Sequence, residues 1–149
     1  MGPLADTFAE QGESMPQTIL IVEDHDTVRE LLRDWLSAAF SGYQIVECKT
    51  GEAALALAAT QLLDLIAMDI ELTQMNGIEA TRYIKAVSPQ SRVVMLTIHE
   101  EADYRAAAAA AGADAYVTKR KMHTELVPVI KALLSQASGA TVKASPVAA

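Results

Sequence analysis

Cysteine is almost absent from this chain: Cys48 is the only one, so no internal disulfide can form. A chain without disulfides suits a reducing cytosol, and we therefore expect a cytoplasmic location. No histidine lies near Cys48 in the sequence. This favours a small hydrophobic core residue over a nucleophile.

Long hydrophobic runs are also missing. No apolar stretch approaches the roughly 20 residues that a membrane-spanning helix needs. Residues 1–17 contain acidic but no basic side chains, so we expect neither a secretory signal nor a transit peptide there. The sequence thus predicts no membrane association.

Basic residues are scarce. The chain has 12 lysines and arginines against 19 aspartates and glutamates, which gives a formal net charge of −7. Phosphate contacts with nucleic acid require clustered basic side chains. The basic run Lys119-Arg120-Lys121 is too short to form such a patch. We therefore expect no nucleic-acid binding by this chain alone.

The composition is otherwise that of one globular domain. Hydrophobic residues make up 51% and charged residues 21% of 149 residues. Residues 1–17 are polar, and residues 136–149 are mostly small residues with a glycine and a proline. We expect a disordered N-terminal tail over 1–17, a folded domain over 18–135 and a flexible tail or linker over 136–149.

Short apolar runs alternate with helical patterns within this domain. Continuous apolar runs bounded by turn residues are typical of parallel strands that are covered on both faces. The predicted strands are 19–22, 45–48, 65–68, 93–96 and 115–117, followed by helices near 28–39, 52–62, 76–87, 101–111 and 124–134. The alternation predicts an α/β fold, a three-layer sandwich around a five-stranded parallel sheet.

Polar residues follow four of the predicted strands. Asp69 ends the third strand, and the others run into Glu23-Asp24, Thr97 and Thr118-Lys119. Because parallel strands end at one edge of a sheet, we expect these side chains to meet. A carboxylate attacks an anionic phosphoryl donor poorly unless a divalent cation neutralises the charge, and Mg²⁺ prefers such oxygens. The pattern predicts that Asp69 accepts a phosphoryl group with the help of a metal.

Each of these residues also has a purely structural interpretation. Glu23-Asp24 would suit the N-terminus of the first helix, and Asp69 could cap the third. Thr97 could be an ordinary β-branched strand residue. Their shared edge and their order along the chain favour a functional site.

The sequence around these residues resembles the receiver domain of bacterial two-component response regulators, and most closely the NarL/FixJ class. The matching segments are Ile21-Val22-Glu23-Asp24-His25, Met68-Asp69-Ile70 with Asn76-Gly77, Met95-Leu96-Thr97, and Gly112 to Lys119. The resemblance implies a flavodoxin-like (βα)5 fold with strand order 2-1-3-4-5. It also implies that Asp69 is the phosphoacceptor. Magnesium would be held by Glu23, Asp24, Asp69 and the backbone carbonyl of Glu71.

The resemblance assigns roles to further residues. Thr97 and Lys119 match the conserved hydroxyl and lysine that contact the phosphoryl group, and Tyr116 matches the aromatic switch. A half-buried edge-strand tyrosine is an equally good interpretation of Tyr116. Glu71 and His99 occupy the two positions that tune the lifetime of the phosphoryl group. An exposed loop histidine is the simpler account of His99.

Two positions depart from the family pattern. Leu72-Thr73 stand where Met-Pro is usual, so the loop before the third helix loses a rigid φ. Arg120 follows the lysine where a cis-proline is common, which leaves the geometry of the Lys119–Arg120 bond open.

The implied function is a phosphorylation-activated switch and not an enzyme. A sensor histidine kinase or a histidine phosphotransfer protein would phosphorylate Asp69. This would alter the face formed by the fourth helix, fifth strand and fifth helix. That face would control a partner or an effector domain, with transcription as the output if a DNA-binding domain follows, and it could support a homodimer.

Two other interpretations stay open. The segment Asp69-Ile70-Glu71-Leu72-Thr73 faintly echoes the nucleophile loop of haloacid-dehalogenase phosphatases, although that family places its metal-binding acids after the nucleophile. The second is a pseudo-receiver that is never phosphorylated and serves only as an interaction module.

Overall fold

A five-stranded parallel sheet with the strand order β2-β1-β3-β4-β5 forms the centre of the molecule. The computed structural model describes residues 17–136, so the predicted tails over 1–17 and 136–149 lie outside the described residues except for Gln17 and Gln136. The strands are β1 (Gln17–Val22), β2 (Tyr43–Cys48), β3 (Leu65–Asp69), β4 (Arg92–Thr97) and β5 (Ala115–Thr118). The helices are α1 (Asp26–Ala39), α2 (Gly51–Thr60), α3 (Gly77–Val87), α4 (Ala102–Ala111) and α5 (Met122–Gln136). This topology confirms the predicted flavodoxin-like (βα)5 fold.

The first strand and the last helix of the described residues are longer than the sequence predicted. Gln17, expected in the tail, pairs with Tyr43 as the first residue of β1. Gln136 was also expected in a tail, but it is the last residue of α5. Ser135 and Gln136 are neither glycine nor proline, so they allow the helix to pass its predicted end at Leu134. At its other end α5 follows directly from a short 3₁₀ helix, Lys119–Lys121.

The two faces of the sheet are covered by different helices. Helix α1 contacts β1 and β2, and α5 contacts β4 and β5. Helices α2, α3 and α4 pack beside one another, as expected for right-handed crossovers on the opposite face. The central strands are therefore buried on both sides, and the core residues Ile19, Leu20, Ile21, Leu65, Ile66 and Met68 have no exposed surface. None of the helices in residues 17–136 has the length and apolar composition needed to cross a membrane.

The parallel register brings the strand ends together. Val22 lies beside Met68 in the ladder between β1 and β3. Asp69 lies beside Leu96, and Thr97 lies beside Thr118. The residues that follow β1, β3, β4 and β5 therefore share the carboxyl edge of the sheet, which is where an open α/β sheet binds its ligands.

Candidate functional site

Three carboxylates meet at the carboxyl edge of the sheet. Glu23 and Asp24 follow β1, Asp69 ends β3, and one oxygen from each lies within 4.8 Å of the others. Glu23 and Asp69 are buried, whereas Asp24 is exposed. The three residues line a cleft of about 300 Å³ together with Glu71 and Lys119. The structure thus brings together residues that the sequence placed at separate strand ends.

Lys119 supplies the positive charge of this cluster. It begins the 3₁₀ helix after β5, and its Nζ lies 3.0 Å from Oε1 of Glu23 and 3.4 Å from Oδ2 of Asp69. Burial by itself would lower the pKa of Lys119, but the charges of Asp69 and Glu23 outweigh burial and raise it. The lysine is therefore charged and bridges the two buried carboxylates.

The carboxyl of Asp69 has an unusually high pKa in the absence of metal. Burial, followed by the negative charge of Glu23, raises its pKa from 3.8 to about 7. Lys119 opposes this shift, as does the backbone N–H of Glu71, which donates to Oδ1 at 3.1 Å. Burial and like charge thus outweigh the attractive contacts. A cation placed among the three carboxylates would relieve the same repulsion.

The donor set fits a magnesium ion. Carboxylate oxygens are hard ligands, and Mg²⁺ takes one or two of them from a protein and keeps several waters. The exposure of Asp24 leaves one side of the cluster open to such waters. Glu71, whose backbone carbonyl is the further predicted ligand, lines the same cleft. A magnesium ion held by these ligands would neutralise negative charge around Asp69 when an anionic donor approaches.

Thr97 and Tyr116 lie on adjacent strands and contact the same loop. Thr97 is fully buried at the end of β4, and its Oγ1 accepts a hydrogen bond from the backbone N–H of His99 at 3.1 Å. Tyr116 on β5 is also buried, and its hydroxyl donates to the carbonyl oxygen of His99 at 2.9 Å. The tyrosine ring therefore faces inward, and one loop residue is held by both side chains.

Arg105 is a neighbour of Tyr116 that the sequence did not reveal. Its guanidinium carbon lies 4.5 Å from the centre of the Tyr116 ring, in the geometry of a cation–π contact. The two residues belong to α4 and β5. No periodicity in the sequence could have paired them, because the contact depends on how α4 packs against β5.

Glu71 and His99 are in direct contact. Nε2 of His99 lies 2.6 Å from Oε2 of Glu71. The ring of Tyr104 stacks on the imidazole ring of His99, with 4.0 Å between the ring centres. These three residues line a second cleft of about 450 Å³ that also reaches Asp24. The sequence singled out the two positions separately but missed both their contact and Tyr104.

The two departures from the family pattern have defined local structures. The Lys119–Arg120 bond is trans. Arg120 forms two hydrogen bonds with Glu100, at 2.9 and 3.2 Å, and so links the lysine segment to the loop after β4. In the segment that lacks Met-Pro, Gln74 adopts a left-handed conformation with φ of 65°.

Gly77 packs closely against the backbone at the end of β3. A side chain at this position would collide with the backbone carbonyl of Asp69. Its N–H donates to the carbonyl oxygen of Ile70 at 2.8 Å, and Asn76 caps α3 by accepting from Glu79 N–H at 2.9 Å. The predicted pair Asn76-Gly77 therefore starts α3 against the end of β3.

Comparison with known proteins gives consistent matches. Residues 19–131 match the response regulator receiver domain. The response regulator MprA of Mycobacterium sp. (strain KMS) is 34% identical over 124 residues, which are 83% of this chain and 53% of that protein.

Solved structures share the fold over most of the described chain. A LuxR-family two-component response regulator from Aurantimonas sp. SI85-9A1 is 35% identical with a TM-score of 0.75, over 80% of this chain and 86% of that chain. A CheY-like receiver domain protein from Methanospirillum hungatei JF-1 is 27% identical with a TM-score of 0.76, over 83% and 97%. The chain spans about half the length of the curated relatives it matches.

Proposed function

Because the chain belongs to the response regulator receiver domain family, we propose that Asp69 is its phosphoacceptor. The observation that carries the proposal is the setting of Asp69, a buried carboxylate at a strand end with the carboxylate of Glu23 beside it and the amine of Lys119 at 3.4 Å. Magnesium would be held by Glu23, Asp24, Asp69 and the backbone carbonyl of Glu71. Its contribution when bound is to neutralise negative charge between the carboxylate and the phosphoryl group.

The residues of the chain would act as follows. A carboxylate oxygen of Asp69 attacks phosphorus, the N–P bond of a phosphohistidine breaks, and the imidazole leaves with a proton from solvent. Lys119, already charged at 3.4 Å from Asp69, balances the negative charge of the acyl phosphate. Thr97 exchanges its contact with the His99 N–H for a hydrogen bond from its hydroxyl to a phosphoryl oxygen.

The output would be read at the face formed by α4, β5 and α5. Tyr116 connects the site to this face, because its hydroxyl contacts the loop beside Thr97 while its ring lies against Arg105 of α4. Phosphorylation would bias the equilibrium between two positions of this loop. We propose that the surface controls a protein partner, a second copy of this chain or an attached effector domain. With a DNA-binding effector, the output is transcription.

Sensor histidine kinases are partners of response regulator receivers, and a histidine phosphotransfer protein is the other proposed donor. We also propose a cytoplasmic location, where a reducing environment would keep the thiol of Cys48 free.

Light scattering with and without beryllofluoride tests the proposed homodimer. An unchanged mass would contradict phosphorylation-dependent dimerisation through the α4–β5–α5 face.

We further propose that Glu71 and His99 tune the lifetime of the phosphoryl group as a pair. Their side chains meet at 2.6 Å in the cleft that they line together with Asp24. This contact restricts the approach of a hydrolytic water to Asp69. Replacing either residue by alanine should therefore change the rate of dephosphorylation, whereas the double variant should change it little further.

The alternatives predict different chemistry. A haloacid-dehalogenase phosphatase would turn over a phosphate ester with Asp69 intact, and a pseudo-receiver would not be labelled at all. The family match and the complete set of site residues favour neither.

Phosphorylation by acetyl phosphate and Mg²⁺ tests the proposal directly. We expect one hydroxylamine-sensitive phosphoryl group per wild-type chain and none on Asp69→Asn. Asp103→Asn is the matched control, because Asp103 is an exposed carboxylate in α4. Equal labelling of wild type and Asp69→Asn would refute the assignment.

A further inference from the structure

Arg29 reaches back from α1 to the loop that carries the acidic pair. Its Nη1 donates to the backbone carbonyl oxygen of Glu23 at 2.9 Å. Its Nη2 lies 2.6 Å from Asp26, and its Nε lies 3.3 Å from Glu47 on β2. Only 11% of the side chain is exposed. Three acceptors on three segments therefore fix the guanidinium in one orientation.

Opposing charges act on the guanidinium of Arg29, and the hydrogen bond with Asp26 is the largest cause of its raised pKa. Arg29 lies in the first turn of α1, where the helix dipole already places partial positive charge. A metal ion held by the adjacent carboxylates would add further positive charge. Asp26 and Glu47 offset this repulsion. The side chain is thus held near the acidic pair by its ion pairs with Asp26 and Glu47 and by its bond to the Glu23 carbonyl.

The carbonyl that Arg29 contacts belongs to the peptide between Glu23 and Asp24. The N–H of Glu23 is already fixed, because it donates to the carbonyl oxygen of Cys48 at 3.1 Å. The carboxylate of Asp24 is exposed, and it has no hydrogen-bond or ion-pair partner within residues 17–136. The direction of Asp24 therefore depends on its backbone, and Arg29 holds the peptide plane from which that residue projects.

We infer that Arg29 is a positioning residue for the metal site: it holds the Glu23–Asp24 peptide so that both carboxylates face Asp69 before the ion binds. The inference rests on the proposed magnesium site. Loss of such a supporting contact typically weakens metal binding by about tenfold or more. An effect of charge alone has the opposite sign, because removing a nearby cation would tighten Mg²⁺ binding.

Arg33 provides the matched control. It lies one turn further along α1, and it also contacts Glu47, at 3.5 Å. Its side chain is 46% exposed, and its other ion pair is with Asp34. Arg33→Met removes the same charge and a contact with the same glutamate, and it leaves the bond to the Glu23 carbonyl in place. Arg29→Met removes that bond as well.

Calorimetric titration with Mg²⁺ distinguishes the loss of the supporting hydrogen bond from the loss of a positive charge. We expect Arg29→Met to weaken binding about tenfold and Arg33→Met to leave it unchanged or slightly tighter. In metal-free protein, amide hydrogen exchange at Asp24 and His25 should accelerate in Arg29→Met only. Labelling by acetyl phosphate should need more Mg²⁺ for half-saturation in Arg29→Met, with an unchanged rate at saturation.

The outcomes distinguish the inference from the proposed site. If wild type does not bind Mg²⁺, the proposed metal site itself fails. If wild type binds and Arg29→Met binds equally or more tightly, the role of Arg29 is refuted and the site stands. Should Arg29→Met fail to fold, Arg29→Lys tests the same point, because it keeps the charge but lacks the planar fork that reaches three acceptors. Its Mg²⁺ binding should be weaker than that of the wild type, and wild-type affinity would overturn the inference.

Discussion

Replacing Asp69 by asparagine should stabilise the metal-free protein above neutral pH. In the folded chain burial and the charge of Glu23 raise the pKa of this carboxyl from 3.8 to about 7. Between these two values the folded state binds more protons than the unfolded state. The free energy of unfolding of the wild type therefore falls as pH rises from about 4 to about 7, and it stays low above that range. Asparagine does not titrate, so the variant lacks this loss.

The size of the effect follows from the same pKa. A rise from 3.8 to about 7 corresponds to at most about 4 kcal/mol, since each tenfold change in proton affinity is worth about 1.4 kcal/mol. Asparagine gives up the attraction between Asp69 and Lys119, and water reaches the open cleft. Both effects reduce the gain, and we expect the variant to be more stable by about 1–2 kcal/mol at pH 8. Near pH 4 the difference should vanish or change sign.

Urea unfolding in EDTA at several values of pH measures this difference, with the single tryptophan, Trp35, as the fluorescent probe. Subtracting the variant from the wild type removes the contribution of the titrating groups that do not interact with Asp69. Adding Mg²⁺ should stabilise the wild type more than the variant, because the variant lacks one carboxylate ligand. A difference that does not depend on pH, or a variant that is less stable at pH 8, would refute the electrostatic reasoning.

Three further substitutions test local features of the site. Gly77→Ala should destabilise the fold by about 1–3 kcal/mol and slow labelling by acetyl phosphate, because the new methyl group would meet the Asp69 carbonyl. Gly42→Ala is the control, since nothing lies within 4 Å of its added Cβ. Equal losses of stability for the two variants in urea unfolding would contradict the predicted collision at Gly77. Gln74→Gly should raise stability by about 0.5–1 kcal/mol, because glycine adopts the φ of 65° without the cost that a side chain imposes; a lower urea midpoint would show that the glutamine side chain matters more than the backbone. Tyr116→Phe should cost about 1 kcal/mol through loss of the hydrogen bond to the His99 carbonyl, and an unchanged midpoint would mean that this bond contributes nothing.

The strands and the residues at their ends could be predicted because both signals are local. Apolar runs bounded by turn residues identify buried parallel strands, and Asp69, Thr97 and Lys119 follow such runs directly. The element boundaries were less accurate at Gln17 and Gln136. Pairing with Tyr43 across the sheet extends β1, and helix α5 reaches Gln136, two residues past the predicted end.

Contacts between side chains from different segments could not be predicted in this way. Glu71 and His99 are singled out by their positions, but their contact at 2.6 Å depends on how two loops lie over the edge of the sheet. The bond from Arg29 to the Glu23 carbonyl depends on the side-chain conformation of one helical residue. The periodicity of the sequence indicates neither contact.

The sequence by itself determined the strands, the helices and the set of groups that follow the strands, because burial and turn chemistry act over a few neighbouring residues. The order of the strands was implied only by the resemblance to response regulator receivers. The tertiary structure alone decided that Tyr116 faces inward, that Gly77 lies against Asp69 and that Arg29 holds the acidic loop. These features arise where separate segments pack within a few ångströms of each other. Their geometry is set by the whole fold and not by any one stretch of chain.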